Sequence, residues 1–450
     1  MPEPWPDDVA LQDPAAHRDP GIESGASPIV SSRPAPGNAN LRAGIARKVD
    51  RTRRRARIAR RPHGSLNPLP VAAVEPGMRN VAWNDPMEER MSDPSTASRL
   101  RDTLAALVVL VAIPAAASAQ QAETFRLPGD EVAVYNLAGK VHVRGGSGSD
   151  VTVAVRRGGS DANRLEVQTG DVDTHQDGFG RVTALRIVYP METIVYGDGR
   201  GSSEIRVRDD GTFFGDSDAG KRIRIRDSGS GVKAHADLDI AVPAGRAVLV
   251  ALAVGEVRVE NVEGRLHVDV ASADVSTKAT RGDFVLDTGS GDVSIERHEG
   301  DLVADTGSGD VSLMDVAGGE LVFDTGSGDV TGGAIRGTRI LADTGSGDVE
   351  LDGVRAERFL ADTGSGNVTL AFDASPGEVE VDVGSGDVRL TFPQGYGARV
   401  EVDTGSGDIS TDLPIQVTSI SDDELEGTIG DGSGRLVIDT GSGDVKLQMR

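Results

Sequence analysis

Apolar and polar positions alternate with a fixed beat along the second half of this chain. Val311, Leu313 and Val316 alternate or nearly so, Ala317-Gly318-Gly319 interrupts them, Leu321, Phe323 and Thr325 alternate again, and Gly326-Ser327-Gly328 closes the unit. The same arrangement returns as Val349/Leu351/Val354 with Phe359/Ala361/Thr363, and as Val257/Val259/Val262 with Leu266/Val268/Val270. Period-two alternation bounded by glycine predicts short strands, each with one apolar face. Each unit therefore holds two strands and two turns.

A motif marks the period. Asp-Thr-Gly-Ser-Gly-Asp-Val, or a close variant of it, begins at Asp287, Asp305, Asp324, Asp343, Asp362, Asp382, Asp403 and Asp439, mostly 18 to 21 residues apart, with one gap of 36. Asp269–Val275 and Ala251–Val257 occupy the preceding slots, so ten rungs can be registered. A rung of about 19 residues cannot bury its own apolar face; rungs must stack, at a strand spacing of about 4.8 Å, to share a core. The expected fold is all-β, a single-stranded right-handed β-solenoid (β-helix) forming a rod roughly 45–50 Å long. Leu252, Val270 and Val383 stand where other rungs carry the motif threonine, which places that threonine inward and the leading aspartate outward. The motif glycines are expected to turn the corner through positive φ.

Residues 120–245 show the same alternation less regularly, with Val132/Val134, Val141/Val143, Val151/Val153/Val155, Leu185/Ile187, Ile205/Val207, Ile223/Ile225 and Leu238/Ile240/Val242 separated by Gly/Asp-rich loops. They read as a cap and first rungs, leaving residues 246–450 as the regular repeat. The gap from Asp403 to Asp439 reads as one enlarged rung with an inserted acidic loop, and the polar end at Lys446–Arg450 as a blunt for the last edge.

The first 119 residues have a different character. Residues 1–90 are rich in Pro, Ala and Arg without periodicity, and read as a disordered tail or a mis-assigned upstream extension; a nucleic-acid or membrane-surface role for the basic run Arg51–Arg61 is the rival. Residues 91–119 carry Arg99 and Arg101, the short apolar run Leu104–Ala117 and the exit Ala117-Ser118-Ala119. That order predicts a signal-peptide helix cleaved after Ala119, and the apolar run is short for a membrane span. Export to the periplasm, outer surface or medium follows, with no stable membrane span after cleavage; an uncleaved anchor is the alternative.

Composition narrows the class. From Gln120 onward 31 basic side chains face 58 acidic ones, a balance of −27, which argues against nucleic acid as a partner. No cysteine is present, so disulfides and thiolate metal sites are excluded. Aromatics are only 3%, which suits a thin layered core better than a large one.

Asn136-Leu137-Ala138-Gly139-Lys140-Val141, Val242-Pro243-Ala244-Gly245, the ladder of Ser-Gly-Asp-Val rungs, and Gly427–Gly432 before a final Gly-Asp-Val together resemble the bacterial adhesin-like family catalogued as domain of unknown function 4097, over roughly residues 125–450. The resemblance implies a β-solenoid, export and an adhesive or surface role, and it supplies no catalytic residues. The insertion around 191–230 departs from the compact pattern.

Candidate chemistry is sparse. Asp-Thr-Gly-Ser is also the aspartic-protease signature, but that chemistry needs two carboxylates from opposing lobes, which a stacked series does not provide. Stacked carboxylates raise calcium, with Asp287, Asp292, Asp305, Asp310, Asp324, Asp329, Asp343 and Asp348 as candidate ligands. The competing expectation is that each aspartate caps its own turn and faces water; neighbouring carboxylates then repel by only about 1 kcal/mol in a water-like medium. Arg281-Gly282-Asp283 is an integrin-type tripeptide at a turn, and reads as a turn glycine between common charges. His267 and His298 are expected on outward positions. The sequence thus predicts an exported, adhesin-like interaction module without catalysis or cofactor, binding an unknown surface protein or glycan. The alternatives are a calcium-binding β-roll of structural role and a carbohydrate-active β-helix. Oligomeric state stays open.

Overall fold

A computed structural model describes residues 122–197, 202–215 and 219–450. The expected tail over 1–90, the leader over 91–119 and the cleavage point at Ala119 lie outside the described residues. Within them the chain is all-β, with one short 3-10 turn at Ala162–Arg164.

The repeat units stack as parallel rungs in register. Arg246–Glu260 pairs with Gly264–Arg281 over its whole length, with Leu252 beside Val270 and Val257 beside Val275. Higher up, Val311–Thr325 pairs with Val330–Thr344, and that strand with Val349–Thr363, so Asp324, Asp343 and Asp362 stand over one another, as do Thr325, Thr344 and Thr363. Each rung has a first arm ending in Asp-Thr, a Gly-Ser-Gly turn, and a second arm after the turn.

Inside, the columns compensate for volume. Phe323 sits between Ala304 and Ala342, so a large ring is flanked by two small side chains in its own column. Layers that interdigitate this way reach native density with few aromatics. Where rings do meet, they form a line: Phe359 packs edge-on to Phe372 at 5.8 Å, Phe372 stacks on Phe392 at 5.3 Å, and Phe392 stacks on Tyr396 at 4.2 Å.

Both ends depart from sequence order. Glu131–Gly146 is an interior rung: one edge pairs with Arg246–Glu260, the other with Phe179–Val188 and His235–Pro243. Antiparallel strands then cover the end, Glu166–Gln176 on the first arm, Val151–Gly158 and Glu123–Leu127 on the second. Thr193–Val195, Lys221–Arg226 and Ser202–Val207 make a separate three-stranded sheet. Nearby, Phe213 meets Tyr135 edge-on at 5.4 Å.

At the other end the expected enlarged rung is absent. The chain leaves Val388–Phe392 and builds Ala398–Thr404 with Ile409–Thr411 at the outside of the stack; the hairpin Ile415–Ile420/Glu424–Ile429 caps that first arm antiparallel. It then returns, and Gly434–Thr440 with Val445–Met449 enters between the two preceding rungs. The polar C-terminus therefore blunts no edge. Its rung is enclosed on both sides.

Candidate interaction face

The motif builds its turn from three side-chain devices. The threonine is inward and about 1% exposed at Thr288, Thr306, Thr325, Thr344 and Thr363, as the alternation implied. Thr325 Oγ1 donates to Gly309 O of the rung below at 2.9 Å and accepts the Gly328 N–H at 2.9 Å. Thr344 repeats both bonds, at 3.0 and 2.9 Å. A buried hydroxyl is thereby satisfied on both sides.

The glycines serve closeness rather than the left-handed backbone expected of them. Of the motif glycines in complete copies, Gly291 has a positive φ, at 152°, while Gly326 and Gly328 do not. A Cβ on Gly328 would lie 2.0 Å from Gly309 O, and one on Gly326 2.3 Å from Gly307 O. The left-handed corner falls elsewhere, on a column of mostly non-glycine residues: Asn261, Ala279, Arg297, Asp315 and Ala334 at φ 53–58°, then Gly353 at 66°.

The aspartate after the turn caps the next rung, not its own. The Asp310 N–H donates to Asp292 Oδ1 at 3.1 Å, Asp329 N–H to Asp310 Oδ1 at 3.0 Å, and Asp348 N–H to Asp329 Oδ1 at 2.8 Å. Asn367 continues the relay with its amide oxygen, accepting from Asp387 N–H at 2.9 Å.

The eight calcium candidates thus fall in two columns. Asp292, Asp310, Asp329 and Asp348 form the post-turn relay, and Asp287, Asp305, Asp324 and Asp343 form an outward rail on the first arm. Among the described residues, no group of three or more His, Asp or Glu is placed to hold a metal ion.

Beside the outward aspartates runs an apolar rail that the sequence reading missed. Val303, Val322 and Leu341 form a cluster separate from the core, with Val285 and Leu360 packed against it. They alternate with the inward Leu302, Ala304, Leu321 and Phe323, so they face outward, yet Val322 is 1% exposed. The signal was legible in principle: a second apolar residue between Leu321 and Phe323 breaks strict alternation at every one of these rungs. Beyond it, register partners Glu320, Arg339, Arg358 and Glu378 make a third, mixed-charge rail, tied by the Arg339–Glu320 pair at 2.7 Å and the Arg358–Glu378 pair at 3.4 Å.

Two histidines depart from the expected exposure. His298 is 1% exposed in the core, held by Thr280 Oγ1 at 2.9 Å from Nδ1, and burial pulls its pKa down to about 4. His267 shares the outer face but lies under the end of the hairpin from Glu166 to Val188. Gln176 Nε2 donates to His267 Nε2 and to Asp269 Oδ2, both at 2.9 Å. Burial, helped by Arg265, lowers the His267 pKa to about 4; burial, helped by Asp287, raises that of Asp269 to about 8. The Gln176 N–H bond opposes part of the rise at Asp269, because a donor favours the charged carboxylate. Arg281 of the Arg-Gly-Asp tripeptide is exposed and pairs with Glu299.

Residues 277–448 match the family model described as Toastrack DUF4097, a narrower span than the resemblance from sequence covered. No curated protein matches the chain. A crystal structure of a provisionally assigned cell adhesion protein from Clostridium sporogenes aligns over 73% of this chain and 99% of its own, at 9% identity and a TM-score of 0.18. At that score the alignment carries no argument about fold or role.

Proposed function

We propose that this protein is an exported, non-catalytic interaction module of the adhesin-like type, made under the leader at 91–119 and working from Gln120 onward. It engages a surface protein or glycan through the outer face of the first arms. One observation carries the reading: the outward aspartates and the mixed-charge rail, set on either side of a covered apolar rail, repeat the same chemistry on successive rungs. A stripe of constant chemistry suits an extended partner, whereas catalysis needs unlike groups converging on one point. The Toastrack match and the β-solenoid stack support the same reading.

Two experiments test it. Fractionation of cells with N-terminal sequencing should find the chain outside the cytoplasm, beginning at Gln120; a cytoplasmic chain beginning near Met1 sinks the export half. Beads coated with the purified chain should adhere to surfaces of neighbouring cells, and the variant Asp305→Asn/Asp324→Asn/Asp343→Asn should adhere less while folding normally. Equal adhesion by both coatings would place recognition elsewhere on the molecule.

A further inference from the structure

The rung that ends the chain does not end the stack. Leu436, Ile438 and Thr440 lie on Val379, Val381 and Val383 on one side and on Val400, Val402 and Thr404 on the other. Val445 and Leu447 lie between Val388/Leu390 and Ile409/Thr411. The aspartate relay passes through the same rung: Asp444 N–H donates to Asp387 Oδ1 at 2.9 Å, and Asp408 N–H to Asp444 Oδ1 at 3.0 Å. Thr440 Oγ1 reaches Gly386 O at 3.2 Å.

Three features make this rung separable. No described rung follows it, so it leaves its slot without pulling another described rung. It hangs from Gly430-Asp431-Gly432-Ser433, where Gly430 and Gly432 take φ of 55° and 66° and the Ser433 N–H donates to Asp431 Oδ1 at 3.1 Å. And the walls of the slot are joined to each other directly through Pro393–Gly397, so they stay neighbours when it is out. An empty slot would leave strand edges unpaired on both sides until its own walls, which carry the same motif, closed on each other or another rung became the occupant. The chemistry selects that occupant narrowly, because glycines at 441 and 443 are required: a Cβ there would stand 2.6 Å from Gly384 O and 2.0 Å from Gly386 O. An identical rung from another copy meets every one of these conditions.

We propose that the C-terminal rung, residues 434–449, exchanges between two copies of this chain, giving a reciprocal dimer in which each slot holds the other copy's rung. Every bond inside the slot is conserved in the exchange, so the two forms differ by hinge geometry and the entropy of association, and concentration during folding sets their ratio.

The chain contains no cysteine, which makes the test direct. Glu380 and Val437 are register partners across the slot wall, within the separation a disulfide accepts. Full-length Glu380→Cys and Val437→Cys chains are unfolded together, refolded at high concentration and mildly oxidised. Exchange yields a disulfide-linked dimer containing one chain of each kind. It is absent when Val437→Cys is mixed with Thr183→Cys, whose strand lies at the opposite end of the stack. A second pair, Thr391→Cys with Gln448→Cys, reads the same wall on the other arm should either first variant fold poorly. Heterodimer yields no higher than in the control mixture, for both pairs, would overturn the proposal.

Discussion

At position 367 an asparagine stands where the neighbouring rungs carry aspartate, and its Oδ1 accepts the next backbone N–H at 2.9 Å as the carboxylates do. The relay therefore needs an acceptor and not a charge. Asp348→Asn should leave stability within about 0.5 kcal/mol of the parent. Asp348→Ala, which orphans the Asn367 N–H now bonded at 2.7 Å, should cost about 1 kcal/mol in urea unfolding. Equal losses in both variants would make charge the active property. The buried titratable groups set a pH dependence whose sign is determined. His267 and His298, with pKa values lowered to about 4, add stability that is complete above the unfolded value near 6.5 and is lost as pH falls from there toward 4. Asp269, raised to about 8, acts oppositely: its contribution is complete below 3.8 and is lost as pH climbs through 8. Two histidines outweigh one aspartate on the acid side, so these groups place the stability maximum near pH 6.5. In Asp269→Asn the decline between about pH 6.5 and 8 should vanish when unfolding midpoints are followed against pH; persistence of that decline would assign it to other groups.

Among elements, the strands and their inward columns were readable from the sequence, because alternation and period fix which face each residue takes. Thr325 was placed inward by analogy with Val383, and it is 1% exposed. Two things were not readable. The left-handed corners at Ala279, Arg297 and Ala334 carry residues with no preference for positive φ, and apart from Gly353 only Asn261 and Asp315 in that column are of a type enriched there; the stack imposes the conformation and the sequence marks it too sparsely to be read. The order of the last rungs was hidden for a different reason. Asp382, Asp403 and Asp439 head nearly identical motifs, so any of them stacks on any other, and chain order alone does not choose. The choice comes from the hairpin Ile415–Ile420/Glu424–Ile429, which covers the edge of Ala398–Thr404 and leaves the terminal rung an interior place. That hairpin leaves one weak point. Ile415–Ile420 is an uncharged strand paired on one side by Glu424–Ile429, with Val417 50% and Ile420 71% exposed. Edges of this kind add foreign strands unless a charge intervenes. Ile420→Lys should lower light scattering of concentrated solutions while moving the unfolding midpoint by no more than about 0.5 kcal/mol equivalent. Unchanged scattering would show that self-association, if any, uses another edge.

For the whole molecule, the balance of −27 from Gln120 onward is concentrated on ladders spaced by one rung. Screening should relieve part of that repulsion, so added monovalent salt is expected to raise the melting temperature by a few degrees, about 1 kcal/mol in stability. Calcium at matched ionic strength should do no more; a larger rise with calcium would argue for a specific site along the aspartate rails. The parallel stack, with Glu131–Gly146 and the C-terminal rung drawn inside it, also predicts where the molecule is most protected. Amide hydrogen exchange across the full chain tests this most directly. Amides of Gly434–Thr440 should exchange as slowly as those of the mid-stack first arm at 321–325, and far more slowly than those of Ile415–Ile420. Fast exchange at 434–440, matching a frayed end, would contradict the enclosed terminal rung and with it the stacking order described for this fold.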